Sequence, residues 1–295
     1  MNAFKRTFGF INQHPLAKQH LILAYLKWIA WQIRSRLSSG LLKIKFLDQT
    51  HFLAKKGLTG ITGNIYTGLH EFEEMGFLLH FLRPEDVFFD VGANVGSYTL
   101  LASSVCKAKS ITFEPLPATF EILKRNIELN QIHQLVRLEN KGVGKETGIL
   151  KFSANEDTTN HVIASNEENS QTTEVPIVPL DSYYPNTKPA LIKIDVEGFE
   201  TEVLNGAESI LADSNLKAII IELIGSGERY GNDENKIHEK LLSLAFKPYR
   251  YYPLERKIEL SEKFGEANTI YLRDLDFVKT RVKTAVAFNV FNKLI

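Results

Sequence analysis

Val87-Phe88-Phe89-Asp90-Val91-Gly92-Ala93-Asn94-Val95-Gly96-Ser97 decides how this chain is read. Four of its first five residues are β-branched or aromatic, and they run straight into a turn carrying two glycines. A strand that ends in such a turn and gives way to a helix, expected over 97–106, opens a βα unit. Downstream, strands are expected over 110–113, 135–140, 149–152, 175–180, 191–195 and 217–223. Helices are expected over 117–130, 200–212 and 233–245, and the tail 246–273 alternates as a hairpin does, ending in a strand over 269–272. Upstream, a helix around 70–82 stops before Pro84. Alternating strands and helices predict right-handed βαβ units in a doubly wound, mostly parallel α/β sheet, closed by an antiparallel hairpin.

Open parallel sheets bind ligands beyond the carboxyl ends of their strands, and three acids fall at such ends: Asp90, Glu114 and Asp195. The glycine turn brings backbone amides close to a ligand, yet a dinucleotide fingerprint wants glycine at its first, third and sixth positions. Here those positions hold Gly92, Asn94 and Ser97. Asn94 would crowd a pyrophosphate and Asp90 would repel one. A cationic ligand reverses that logic: S-adenosylmethionine carries a sulfonium and an ammonium, and its carboxylate suits a helix start. Glu114, 24 residues after Asp90, is placed to accept hydrogen bonds from ribose hydroxyls. The cofactor set on this reading is Asp90, Gly92, Asn94, Gly96, Glu114, Pro115, Asn140 and Asp195, with Asn140 expected at adenine.

These residues carry a resemblance. The run 87–97, Thr112-Phe113-Glu114-Pro115, Val178-Pro179-Leu180-Asp181 and Leu191-Ile192-Lys193-Ile194-Asp195-Val196-Glu197-Gly198-Phe199-Glu200 resemble the FkbM-type methyltransferases, as does Val203-Leu204-Asn205-Gly206-Ala207. The likeness covers roughly 65–272, and Lys193-Ile194-Asp195-Val196-Glu197-Gly198 is its most specific element. It implies a seven-stranded methyltransferase (Rossmann-like) sheet, S-adenosylmethionine as donor, and a hydroxyl acceptor, often on a sugar or a secondary-metabolite ring. The division it suggests is a basic helical extension over 1–64, a methyltransferase domain over 65–275 and a basic helical tail over 276–295.

Methyl transfer to an alcohol needs an aligned acceptor and a route for its proton. Asp195 and Glu197, two apart at a strand end, are expected on the same side of the site, the first touching cofactor or acceptor and the second assisting proton removal. Glu197 could instead cap the helix expected near 200. His161, in the polar stretch 154–174, is a further candidate base or an exposed loop histidine. Glu222 could line the acceptor pocket. No histidine–carboxylate spacing specifies a metal ligand set, so none is assigned, although a divalent cation would suit the chemistry.

Composition sets the outer bounds. The 295 residues are 44% hydrophobic and 24% charged, which excludes global disorder. One cysteine excludes a disulfide framework, and 35 basic against 35 acidic residues argues against a nucleic-acid partner. The balance hides an asymmetry: residues 1–45 carry eight Lys or Arg and no acid, and 277–295 carry four more and none. Basic ends on an acidic body point to an anionic partner, a membrane surface or a second subunit. The segment 16–38 reads as one helix, apolar nearly all round with Trp28 and Trp31 on one face, too short and too charged to span a membrane. Residues 41–67 read as short strands and turns. The expected location is cytoplasmic, with peripheral membrane or self-association through the ends. The expected function is O-methylation of a sugar hydroxyl in a glycan or glycolipid. A small metabolite or protein acceptor, a nicotinamide oxidoreductase and a cofactor-binding scaffold are the rivals.

Overall fold

The structure is a computed structural model that describes residues 3–153, 161–163, 172–262, 264 and 268–295. In chain order its elements begin with α1 (Ala3–Gln13), a short 3-10 turn, α2 (Leu21–Leu37) and the hairpin β1 (Leu42–Lys45) and β2 (His51–Ala54). Then come α3 (Thr59–Thr67), α4 (Phe72–Phe81), β3 (Val87–Val91), α5 (Ser97–Thr99) running into a π-helical segment Leu100–Val105, β4 (Lys109–Phe113) and α6 (Pro117–Leu129). The middle continues through β5 (Val136–Glu139), β6 (Gly142–Val143), β7 (Gly148–Ser153), β8 (Thr172–Val178), β9 (Leu191–Ile194), α7 (Glu200–Asn205) and α8 (Glu208–Ala212). The chain closes with β10 (Ala218–Glu222), α9 (Glu234–Ser243), β11 (Lys247–Tyr252), β12 (Lys257–Leu260), β13 (Asn268–Leu272), α10 (Leu275–Lys283) and a small hairpin at 289–294.

The main sheet runs β12-β11-β13-β10-β9-β3-β4-β5. From β10 to β5 all pairings are parallel, while β13 inserts antiparallel between β10 and β11. The resemblance implied seven strands; the eighth is the short edge strand β12. Both faces are buried, as parallel strands require. Phe88, Leu191 and Ile220 pack into one apolar cluster, and their chain neighbours Phe89, Ile192 and Ile221 into the other. Chain order runs outward from β3 to β4 and β5 on one side, and through β9 to β10 on the other. The crevice at that reversal, between β3 and β9, is where this topology leaves room for a ligand.

Several elements differ from the expectations. The helix foreseen over 16–38 is divided: Ala17–Gln19 is a separate 3-10 turn, and α2 starts at Leu21. Within 41–67 the hairpin is present, but 59–67 is a helix despite Gly60 and Gly63. Packing overrides propensity there: Ile61 is fully buried, and a Cβ on Gly63 would stand 2.3 Å from the His70 ring. The helix foreseen over 200–212 breaks at Gly206, where a Cβ would sit 2.1 Å from the Gly144 carbonyl oxygen. Ile11, Leu16, Ala17 and Ala24 near the start, and Val278, Phe288, Phe291 and Ile295 near the end, share one apolar cluster with the sheet residues Phe88 and Leu191. Among the described residues, no helix is long and apolar enough to cross a membrane.

Candidate active site

A cavity of about 340 Å³ opens at the carboxyl ends of β3, β4, β9 and β10. The glycine turn forms its floor. Gly92 has φ +79°, and a Cβ there would stand 1.8 Å from the Asp195 carbonyl oxygen, so only glycine lets the loops after β3 and β9 meet. The amides of Gly92 and Ala93 donate to the Phe113 carbonyl, 3.1 and 2.9 Å away. Glu114 then locks the turn: Asn94 N donates to its Oε2 at 2.9 Å and Leu116 N to its Oε1 at 3.0 Å. Each carboxylate oxygen keeps a lone pair for a hydroxyl donor. Burial pushes Glu114 up to about 8 even against those two amides.

Asp90 lies at the base of the cavity, 1% exposed. Its Oδ2 accepts a 2.6 Å hydrogen bond from Thr99, and its buried Oδ1 has no partner among the described residues. Burial raises it to about 6, although Lys193 pulls the other way. A buried, unpartnered carboxylate oxygen beside a cavity fits a ligand that brings a donor or a positive charge.

The opposite wall is acidic. Asp195, Glu197 and Glu222 line it, and each offers a carboxylate oxygen within 4.8 Å of the others. Glu197 and Asp195 come together, but not by strand alternation: β9 ends at Ile194, and a left-handed turn brings Glu197 round. The helix-cap alternative for Glu197 is not what the structure shows: α7 starts at Glu200 with no side-chain cap, and Glu200 Oε1 closes the turn before it by accepting from Val196 N at 3.3 Å and Gly198 N at 3.2 Å. Glu197 itself sits at φ +54°, a left-handed conformation that costs a non-glycine residue about 1 kcal/mol. Gly198 follows at φ +101°, with no room for a Cβ beside the Ser226 carbonyl. Burial, then Asp195, pushes Glu197 up to about 7, with Arg229 opposing. Burial, then Asp195 and Glu197, pushes Glu222 up to about 8. The three carboxylates have the spacing of a cation site and equally the means to share protons.

Sequence reasoning overlooked the residue that organises this wall. Lys193 is 3% exposed in the middle of β9, and its Nζ lies 2.6 Å from Asp195 Oδ2 and 4.9 Å from the centre of the Tyr98 ring. Burial alone would lower its pKa; Asp195, Glu71 and Asp90 outweigh that and hold it above its ordinary value. The signal was available, since a lysine inside an otherwise apolar strand must have a partner. Tyr98, which donates to Glu71 Oε2, ties α4 to the same wall.

Three expected residues stand elsewhere. Asn140 does not line the cavity: its Nδ2 is spent on the carbonyls of Glu114 and Pro115, 2.9 and 3.0 Å away, so it fixes the Glu114 loop. Beyond β4 and β5 the lining is Leu116, Gly142 and Val143 instead. Gly96 also lies outside the lining, at φ +95° where a Cβ would strike Leu123. His161 is buried rather than exposed, its N 3.1 Å from Ser153 Oγ; its neighbour Val162 meets the cavity. His161 is near enough to Glu197 for its charged form to lower that carboxyl. Most of the polar stretch 154–174 lies outside the described residues.

Among the described residues, six carboxylates line the cavity (Glu71, Asp90, Glu114, Asp195, Glu197 and Glu222) against two lysines, Lys141 and Lys193. Both lysines are engaged, Lys141 with Glu139 at 2.7 Å. Such a field disfavours a pyrophosphate and favours a cationic ligand.

The chain is similar to known methyltransferases. The family described as "Methyltransferase FkbM domain" matches residues 90–250. Methyltransferase 1 of Beauveria bassiana is 28% identical over 200 residues, covering 59% of this chain and 80% of that protein. The hexuronic acid methyltransferase AglP of Haloferax volcanii is 30% identical over 149 residues, covering 50% of this chain and 59% of its own length. Among solved structures, the methyltransferase FkbM from Methylobacillus flagellatus superposes with a TM-score of 0.45 at 15% identity, over 65% of this chain and 44% of that one.

Proposed function

The chain belongs to the methyltransferase FkbM domain family, and on that premise we propose that it is an S-adenosylmethionine-dependent O-methyltransferase acting on a sugar hydroxyl of a glycan or glycolipid. The observation that carries the reading is the division of the cavity: at one end an amide-locked glycine turn with a buried Asp90 oxygen, Oδ1, that has no partner among the described residues, and at the other three clustered carboxylates. When bound, S-adenosylmethionine supplies a methyl group on a sulfonium, already a good leaving group. Asp90 and Glu114 would hold it, Asp90 toward its positive charge and Glu114 through the ribose hydroxyls, with Leu116 and Val143 offering apolar surface to the base.

The remaining work falls to the chain. Glu197 takes the acceptor hydroxyl's proton; its pKa of about 7 matches a base to neutral pH better than an ordinary carboxylate would. Burial first, and then the like charge of Asp195, keep that pKa high, and Lys193 holds Asp195 in place. The hydroxyl-rich acceptor finds a wall of carboxylate acceptors, which suits a sugar. The Haloferax volcanii relative, a hexuronic acid methyltransferase, supports the same acceptor class.

Release of S-adenosylhomocysteine in the presence of uronic acids, neutral sugars and lipid-linked sugars tests the reading. Turnover with a sugar, lost in Glu197→Gln, is expected. Turnover only with a phenolic metabolite or a protein would overturn the acceptor class. Cofactor binding with no turnover on any acceptor would favour the scaffold.

A further inference from the structure

α2 is apolar on two opposite faces, and only one is covered. Ala24, Trp31 and Ser35 turn inward and are buried, with Trp31 packed among Ile44, Phe52 and Ile61. Trp28 turns to the protein too, edge-on to Phe8 of α1 at 5.2 Å. The tryptophans are therefore packing residues. The outer face is a stripe of aliphatic side chains: Ile22, Leu26, Ile29, Ile33 and Leu37, between 47% and 83% exposed. Their spacing confines them to an arc of about 80° along the whole helix.

Charge says what covers this stripe. Arg36 and Arg34 stand exposed on its two shoulders, and Lys5, Arg6 and Lys18 are exposed nearby in the chain. No acid occurs before Asp48. The C-terminal tail joins the same side: the Phe291 ring lies 4.5 Å from Lys27 Nζ and 6.3 Å from the His20 ring, and carries the exposed Lys293 and Leu294 with it. Exposed basic side chains, Arg34 and Arg36, thus flank the apolar stripe along α2. A second copy related by two-fold symmetry would bring this basic surface against itself. An anionic lipid leaflet offers the complement, negative headgroups for the shoulders and acyl chains for the stripe.

We propose that α2 is an interfacial docking helix that lies in the plane of an anionic membrane surface, inserting Ile22, Leu26, Ile29, Ile33 and Leu37. α2 packs on α3, whose Gly60 lines the catalytic cavity, so docking sets the cavity beside the lipid surface. The inference does not depend on methyl transfer, and its test requires no turnover.

Flotation of the full chain with vesicles decides it, using phosphatidylcholine alone and equal parts phosphatidylcholine and phosphatidylglycerol. The wild type floats with the anionic vesicles and releases as salt rises; it stays behind with phosphatidylcholine. Replacing all five stripe residues by Gln lowers the bound fraction about tenfold or more, with the melting temperature as the control for folding. The double variant Ile22→Gln/Leu37→Gln, at the two most exposed positions, serves if the fivefold variant does not fold, and shows a smaller loss in the same direction. Equal flotation of wild type and stripe variants, or no flotation of the wild type, overturns the proposal. So does a wild-type dimer in sedimentation velocity that the stripe variant abolishes, which would assign the stripe to a second copy.

Discussion

The two ends of the cavity are made of opposite materials. Around the glycine turn, carboxylates are tied to the backbone: Glu114 takes two amides, and Asp90 takes Thr99. On the far wall, Glu197 and Glu222 face one another and Asp195, with Lys193 bonded to Asp195. The first arrangement fixes geometry before a ligand arrives. The second stores a proton equilibrium near neutral pH. On the proposed reading, binding and proton removal are separated in space, and the two ends meet where Gly92 abuts the Asp195 carbonyl.

Breaking that joint gives the largest expected effect. Gly92→Ala places a methyl 1.8 Å from the Asp195 carbonyl oxygen at φ +79°, and unfolding in urea should show a loss of about 4 kcal/mol or a chain that does not fold. A variant as stable as the wild type would mean the loops do not abut. Glu197→Gln should lower kcat about 10²–10³-fold, a general-base contribution, and erase the acid limb near pH 7. Its stability should hold or improve at pH 8, since it removes a buried like charge. Loss of folding along with activity would make Glu197 structural.

Lys193→Met should cost about 3 kcal/mol, because it strands buried carboxylates. The same change should lower the rate with the cofactor affinity largely kept, which a purely structural role would not do.

A milder test is pH. Asp90, Glu197, Glu114 and Glu222 have folded pKa values raised to about 6, 7, 8 and 8. A carboxyl raised by folding stabilises below its unfolded pKa, and that contribution is lost as pH climbs through the folded value. His14 and His80, lowered to about 4 by burial, act in the opposite sense, but only below their ordinary value of 6.5. The ligand-free melting temperature should therefore fall between pH 6.5 and 8, and a rise over that window would contradict the buried acids. The smallest effect expected is that of EDTA, none on the rate; a loss restored by Mg²⁺ would reassign the three carboxylates from protons to a cation.

The sheet was legible because its strands are unbroken apolar runs ending in acids. β3, β4, β9 and β10 fall within one residue of the sequence reading at each end. The glycine helix α3 was not, since Gly60 and Gly63 are punctuation by propensity and become helical only through packing. At the site, Asp90, Glu114, Asp195 and Glu197 were legible from strand ends. Asn140 was misplaced because strand position does not reveal that its amide is already committed to two carbonyls. Glu222 joins Asp195 and Glu197 only because β10 pairs with β9, a matter of strand order that no local pattern records. The aliphatic stripe of α2 was likewise invisible in a helix apolar all round; which face the body covers is decided by α1, α3 and the tail.

Calorimetric melting with S-adenosylmethionine, S-adenosylhomocysteine and NADH, on the wild type and Glu114→Gln, tests the account most directly. The account predicts a rise with both sulfur ligands, none with NADH, and a much reduced rise in the variant. A rise with NADH, or none with S-adenosylmethionine on folded protein, would contradict it.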